Sequence, residues 1–168
     1  MHNLLSNKEN QTLSIRIVLD RSGSMSGSQS ITVEALNTYL SELKKEEGMN
    51  ASLTLSTFDS VSIDILISRV SVEKIDLFPE SILQPRGGTP LFDAIGLAIH
   101  DLENIKDSTD EYKILVIVTD GFENASKEYT FDNISSKIKE KEDAGWLIIY
   151  LGADHDAFTQ SNSLNFDR

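Results

Sequence analysis

Apolar and polar positions alternate in two rhythms along this chain, and the rhythm changes every dozen residues or so. Ser14-Ile15-Arg16-Ile17-Val18-Leu19 is a short β-rich run that stops at Asp20 and a Ser/Gly cluster. Ile31, Ala35, Leu36, Tyr39, Leu40 and Leu43 then recur at the spacing of one helix face, and Gly48 follows as a stop. Ser52–Phe58 alternates residue by residue, the pattern of a half-exposed strand. Asp59-Ser60 is too short a link for anything but an antiparallel hairpin, so Val61, Ile63, Ile65 and Ile67 begin its partner strand. Thr89 and Pro90 suit the cap and first position of a helix whose inner face is Leu91, Phe92, Ile95, Ala98, Ile99 and Leu102. Ile114–Val118 is a continuous apolar run, as in a central strand covered on both sides, and it ends at Thr119-Asp120-Gly121. Thr130 caps a further helix with Phe131, Ile134 and Ile138 inward, and Trp146–Leu151 reads as another buried strand. The apolar residues named are the predicted core.

Strands alternating with helices predict an α/β fold: a doubly wound, mostly parallel sheet with one antiparallel edge strand and helices on both faces. In such Rossmann-like sheets ligands bind beyond the carboxyl ends of the strands, near the switch in strand order. The two most apolar parallel strands both finish at an Asp, Asp20 and Asp120.

Length and composition narrow the picture without changing it. The chain of 168 residues fits one domain, expected over 12–168, behind a loose polar lead-in at 1–11. With 39% hydrophobic and 25% charged residues it has the makings of a core. Cys 0 removes disulfides, thiolate metal sites and cysteine nucleophiles, and fits a reducing compartment. The formal net charge of -12 argues against nucleic acid and against an anionic membrane surface as partners. The first residues lack the basic and apolar regions of a signal peptide, and no apolar run reaches the roughly 18 residues of a membrane helix. The expected location is the cytoplasm.

The candidate chemistry lies at the strand ends. In Asp20-Arg21-Ser22-Gly23-Ser24 a carboxylate is followed at two and four residues by hydroxyls, with Gly23 letting the backbone curl. If the loop turns around a point, Asp20, Ser22 and Ser24 all aim oxygen at it, and oxygen-only ligands select a hard cation such as Mg²⁺. Thr89, in a glycine-flanked loop, is a further candidate ligand, and Asp120 a second carboxylate acting directly or through water.

This combination resembles the von Willebrand factor type A domain with its metal-ion-dependent adhesion site, whose signature is Asp-x-Ser-x-Ser, a distant Thr, and an Asp in a Thr-Asp-Gly turn. All the signature positions are filled: Asp20, Ser22, Ser24, Thr89 and Asp120. The contexts Arg86-Gly87-Gly88-Thr89-Pro90-Leu91 and Val118-Thr119-Asp120-Gly121 look like those of stand-alone bacterial and phage members, and the resemblance spans roughly residues 12–155. It implies a divalent metal, Mg²⁺ with Mn²⁺ or Ca²⁺ as substitutes, and a protein partner that offers an exposed Asp or Glu as the last ligand. Because only Asp20 and Asp120 offset the ion, the resident charge stays partly unbalanced and favours that incoming carboxylate. The function implied is metal-dependent protein binding without catalysis.

Two other readings compete. A Mg²⁺-dependent hydrolase or phosphoryl-transfer enzyme would use Asp20 as nucleophile beside a second carboxylate two residues on, and that position holds Ser22. GxGxxG and GxxxxGK are absent. A metal-free scaffold that has kept the residues is the other. Among the remaining polar residues, Asp59 is weighed as a rim contact against a plain turn residue, and Asp93 as a helix-dipole partner. Glu123, Asp154 and Asp156 are weighed as shaping the rim against solvated loop charges, the expected role, with His100 on the polar side of its helix and 101–111 a solvated face. His155 lacks a second His to complete a transition-metal set. Many members add a sixth strand and a long final helix that shifts on binding; after Asp156 the sequence offers little room for either, so fixed-affinity binding is expected.

Overall fold

The computed structural model describes residues 12–46, 48–106 and 111–152. Their elements run β1 (Thr12–Asp20), α1 (Gln29–Lys45), β2 (Asn50–Phe58), β3 (Ile63–Ser71), α2 (Leu91–Glu103), β4 (Glu111–Thr119), α3 (Phe131–Asp143) and β5 (Leu147–Gly152). The strands lie in the order β3-β2-β1-β4-β5, with β2, β1, β4 and β5 parallel and β3 antiparallel on β2. The predicted α/β architecture is therefore the one observed, and the order reverses between β1 and β4, the strands that lead into Asp20 and Asp120.

Pleating sorts β1 between the two faces. Ile15, Ile17 and Leu19 pack with Val33, Leu36 and Leu40 of α1 and with Leu53 and Leu55 of β2. Val18 faces the other way, into Leu91, Ile95 and Ile99 of α2, Leu115 and Ile117 of β4, and Ile134 and Ile138 of α3. Arg16 shares that second face and is buried at 2% exposure, where its guanidinium meets Asp101 at 3.1 Å, Ser56 Oγ at 2.9 Å and the Ile17 carbonyl at 3.0 Å. A buried cation needs such a partner, so Asp101 is a structural counter-ion. Glu111 likewise accepts a hydrogen bond from Ser14. At both ends, then, the 101–111 segment is more than a solvated face; 107–110 lie outside the described residues.

Several predicted core positions are exposed. The buried face of α1 is Thr32, Val33, Leu36 and Leu40, while Ile31 is 73% exposed and Ala35 is also on the surface. Val61 lies in the turn before β3 and Ile65 on β3, the bulged edge strand, and both are exposed. Phe131 is partly exposed beside Phe92, and Leu147 and Leu151 are exposed because β5 is the edge of the described sheet. Thr130 does cap α3, its side chain accepting from Asn133 N–H. Thr89 does not cap α2: the residue before Leu91 is Pro90, with no side-chain cap. The first N–H groups of α2 go instead to the loop after β4, Phe92 to Glu123 and Asp93 to the Ser126 hydroxyl. The lead-in at 1–11, the residues Asp154, His155 and Asp156, and the tail lie outside the described residues. No described helix is long and apolar enough to cross a membrane.

Candidate metal centre

Asp20 ends β1 fully buried, and the chain folds back on it at once. Ser22 N–H donates to Asp20 Oδ1 at 2.6 Å, closing an Asx turn, and a single turn of 3-10 helix over Gly23–Met25 follows, pinned by the buried Met25. From the neighbouring strand, Thr119 Oγ1 donates to Asp20 Oδ2 at 2.5 Å and accepts the Gly121 N–H at 3.1 Å. Burial pushes the Asp20 carboxyl above the ordinary range, the Thr119 and Ser22 donors pull it back in part, and Asp120 nearby adds to the rise. This is a carboxylate short of positive charge.

The other predicted residues gather around it. Ser22 Oγ and Ser24 Oγ are 3.0 Å apart, and Ser24 Oγ donates to Asp120 Oδ1 at 2.9 Å. Thr89 arrives from a separate loop, held by its N–H to Asn124 Oδ1 at 2.8 Å and by Asn124 N–H to its carbonyl at 3.1 Å. Released from capping, its hydroxyl reaches the same small space. A methyl group placed on Gly121 would sit 2.9 Å from Ser24 Oγ, 3.0 Å from Thr89 Oγ1 and 3.5 Å from Asp20 Oδ2. The five residues Asp20, Ser22, Ser24, Thr89 and Asp120 thus form one cluster, with Gly121 keeping its centre clear.

The supports of this cluster escaped the sequence reading. Asp59, neither rim contact nor plain turn residue, is 1% exposed. Its Oδ2 accepts from Arg21 Nε at 2.6 Å and Arg86 Nε at 2.8 Å, and its Oδ1 from Val61 and Ser62 N–H at 2.6 and 3.0 Å. Burial alone would raise this carboxyl, but the donors from Arg86, Arg21, Ser62 and Val61 outweigh it and hold the pKa at about 2. Glu123 is half-buried and accepts from the N–H groups of Ala125, Ser126 and Phe92, so it organises its loop instead of facing solvent. Asp93 takes the N–H groups of Lys127, Glu128 and Tyr129 in the same manner. Only Arg21, lodged between Asp20 and Ser22, hinted at this in the sequence: a long cation inside a ligand loop needs an anion elsewhere.

The donor set suits a hard divalent cation. Among the described residues no three His, Cys, Asp or Glu side chains come together as a metal group. The convergent atoms are hydroxyls and carboxylate oxygens, a donor set that favours hard cations over metals that seek thiolate or imidazole. The three heavy atoms nearest to a Cβ built on Gly121 are oxygens from three segments of the chain, Ser24 Oγ, Thr89 Oγ1 and Asp20 Oδ2.

No family model and no curated protein matches this chain. Solved structures do, and through them the fold can be stated: it is that of a von Willebrand factor type A domain. The chain is similar to the manganese-loaded TRAP protein of Plasmodium vivax (TM-score 0.65, 18% identity, 96% of this chain and 65% of that one). It is also similar to the pilus adhesin SpaC of Lactobacillus rhamnosus GG (TM-score 0.67, 14% identity, 94% of this chain and 26% of that one). The von Willebrand factor domain of the type V pili tip protein Mfa5 of Porphyromonas gingivalis gives a TM-score of 0.54 at 20% identity over 67% of this chain and 39% of that one. The chain spans less than two thirds of the length of each.

Proposed function

We propose that this chain is a divalent-metal-dependent protein-binding module. Asp20, Ser22, Ser24 and Thr89 hold Mg²⁺, with Mn²⁺ or Ca²⁺ as substitutes, and Asp120 contributes directly or through water. What the ion supplies is positive charge and a ligand position that an Asp or Glu of a protein partner completes. The chain's own residues do the rest. Asp20 and Asp120 are the only carboxylates of the set, so they leave part of a dication's charge for the partner. Thr119 orients Asp20, and the Gly121 N–H orients Thr119. The convergence of Ser24, Thr89 and Asp20 oxygens over Gly121 carries this reading. That one solved neighbour is manganese-loaded and another is a pilus adhesin supports it by analogy of fold.

The reading is of a binder and not a catalyst, because the groups around Asp20 are hydroxyls and backbone N–H donors. Arg21 and Arg86, the nearby cations that could serve a phosphate, are spent on Asp59. Thermal denaturation with Mg²⁺ and with chelator tests it. Free Mg²⁺ at a hundred times its Kd should add about 2.7 kcal/mol, which is roughly 5–10 °C for a domain of this size. Asp20→Ala should stay folded and lose that response. A wild-type chain indifferent to both Mg²⁺ and Mn²⁺ would favour the metal-free scaffold.

A further inference from the structure

Three loops meet at the candidate centre, and one buried carboxylate touches two of them from the third. Arg21 lies between the ligand candidates Asp20 and Ser22, and Arg86 lies three residues before Thr89. Both guanidiniums converge on Asp59 Oδ2, at the mouth of the β2–β3 hairpin. Arg21 extends a second arm to Ser62 Oγ at 2.8 Å and to Asp64. Backbone bonds close the ring beside them: Arg86 N–H to the Arg21 carbonyl at 2.9 Å, Gly23 N–H to Gly87 at 3.0 Å, and Ser60 N–H to Gly88 at 3.0 Å. Gly87 has φ 67, and a Cβ there would stand 2.5 Å from Ser60 Oγ, so the loops touch as closely as glycine permits.

We propose that Asp59, through Arg21 and Arg86, is the positioning residue that holds the Asp20–Ser24 loop and the Thr89 loop at a common metal-binding separation; this rests on the metal reading of the site. Two guanidiniums repel one another, and only the anion between them makes their approach favourable. Without it the like charges sit on the two loops whose hydroxyls must converge. Asp59 itself bonds to none of the candidate ligands, so its effect runs entirely through where those loops stand.

Asp59→Asn separates the roles. The amide oxygen can still accept from Val61 and Ser62 and keep the hairpin, while the two guanidiniums lose the anion they share and Arg21 keeps only its outer pair with Asp64. In chelator, amide exchange at Gly23, Ser60, Arg86 and Gly88 should quicken at least roughly tenfold, with Leu115–Val118 of β4 unchanged. Calorimetric titration with Mg²⁺ should show affinity lowered about 10- to 100-fold, the usual effect of losing a group that orients ligands. Asp64→Asn, which removes only the outer ion pair, should leave both readouts near wild type. Should Asp59→Asn fail to fold, Arg86→Gln on the half-exposed partner is expected to give the same pair of changes. Unaltered exchange at the four loop amides, or loosened loops with wild-type Mg²⁺ affinity, overturns the proposal. A wild-type chain that binds neither Mg²⁺ nor Mn²⁺ defeats the metal reading itself and the ligation half of this proposal with it, and loosened loops in chelator would mark that outcome apart from a failure of the clamp.

Discussion

Gly121 is the residue whose side chain matters by not existing. It follows Asp120 at the end of the most apolar strand, and its N–H fixes Thr119, which in turn fixes Asp20. Any Cβ would meet Ser24 Oγ and Thr89 Oγ1 at about the distance a metal-held oxygen needs for itself. Gly121→Ala should therefore behave differently from an ordinary core substitution. The hydroxyls can swing aside, so stability in chelator should fall by no more than about 1 kcal/mol, a modest overpacking penalty. Mg²⁺ stabilisation, by contrast, should largely vanish, because the methyl fills the space that the ion requires. Denaturant titrations of both proteins with and without Mg²⁺ would measure the two effects together. An alanine variant with a full Mg²⁺ response would place the ion, if any, somewhere other than over Gly121.

At the level of elements, the loops at the strand ends are tied by charge as well as by packing, and acid should expose the charged part. Asp59 is held at about 2 in the folded chain, below the usual carboxyl of about 3.9 in an unfolded one. A depressed folded-state value means the stabilisation is complete above the unfolded pKa and is lost as pH falls through the folded one. The Asp59 contribution, roughly 2–3 kcal/mol, should thus be nearly intact at pH 5 and be lost mainly between roughly pH 4 and pH 2. Asp59→Asn should start less stable at neutral pH and show a shallower decline over that window; parallel slopes for the two proteins would mean that this carboxylate is not clamped. The sequence pattern made the elements legible because their periods are set by burial: the short run Ile114–Val118 has the length and β-branched content of a strand covered on both faces, and in β4 it is buried from Leu115 to Val118. It also marked the residues that cluster at the strand ends, since Asp20, Ser22 and Ser24 follow one another within a short loop and Asp120 closes an apolar strand. What it concealed was pairing across loops. Glu123 looks like any surface acid until the α2 N-terminus is seen to use it in place of Thr89, and nothing within the run Ser14–Leu19 points to Asp101 on α2 as the partner of Arg16. Such partners are 31 and 85 residues apart, and no local rhythm reports them. Exposed Leu147 and Leu151 belong to the same class, because whether a strand is central or at an edge depends on its neighbours and not on its own residues.

For the whole molecule the question is whether a dication acts at one place or everywhere. A chain with a formal net charge of -12 repels itself, and any divalent salt relieves that repulsion by screening. A rise in melting temperature with Mg²⁺ is therefore ambiguous unless the general field is first removed. Sodium chloride does this: at about 1 M the screening length falls to roughly 3 Å, against about 8 Å at physiological salt. Interactions spread across the surface are then lost, whereas oxygens within about 3 Å of a bound ion are not. Two components should separate in wild type. The first is shared with Gly121→Ala and disappears in high salt. The second is absent from that variant, saturates at one ion per chain, and persists. A wild-type response that high salt erases completely would reduce the effect of Mg²⁺ to neutralisation of an acidic surface, leaving the cluster of Asp20, Ser24 and Thr89 as a hydrogen-bonded junction between strands. A persistent, saturable component would instead mean that one dication is held locally at the ends of β1 and β4, against a background of negative charge that spreads over the rest of the chain.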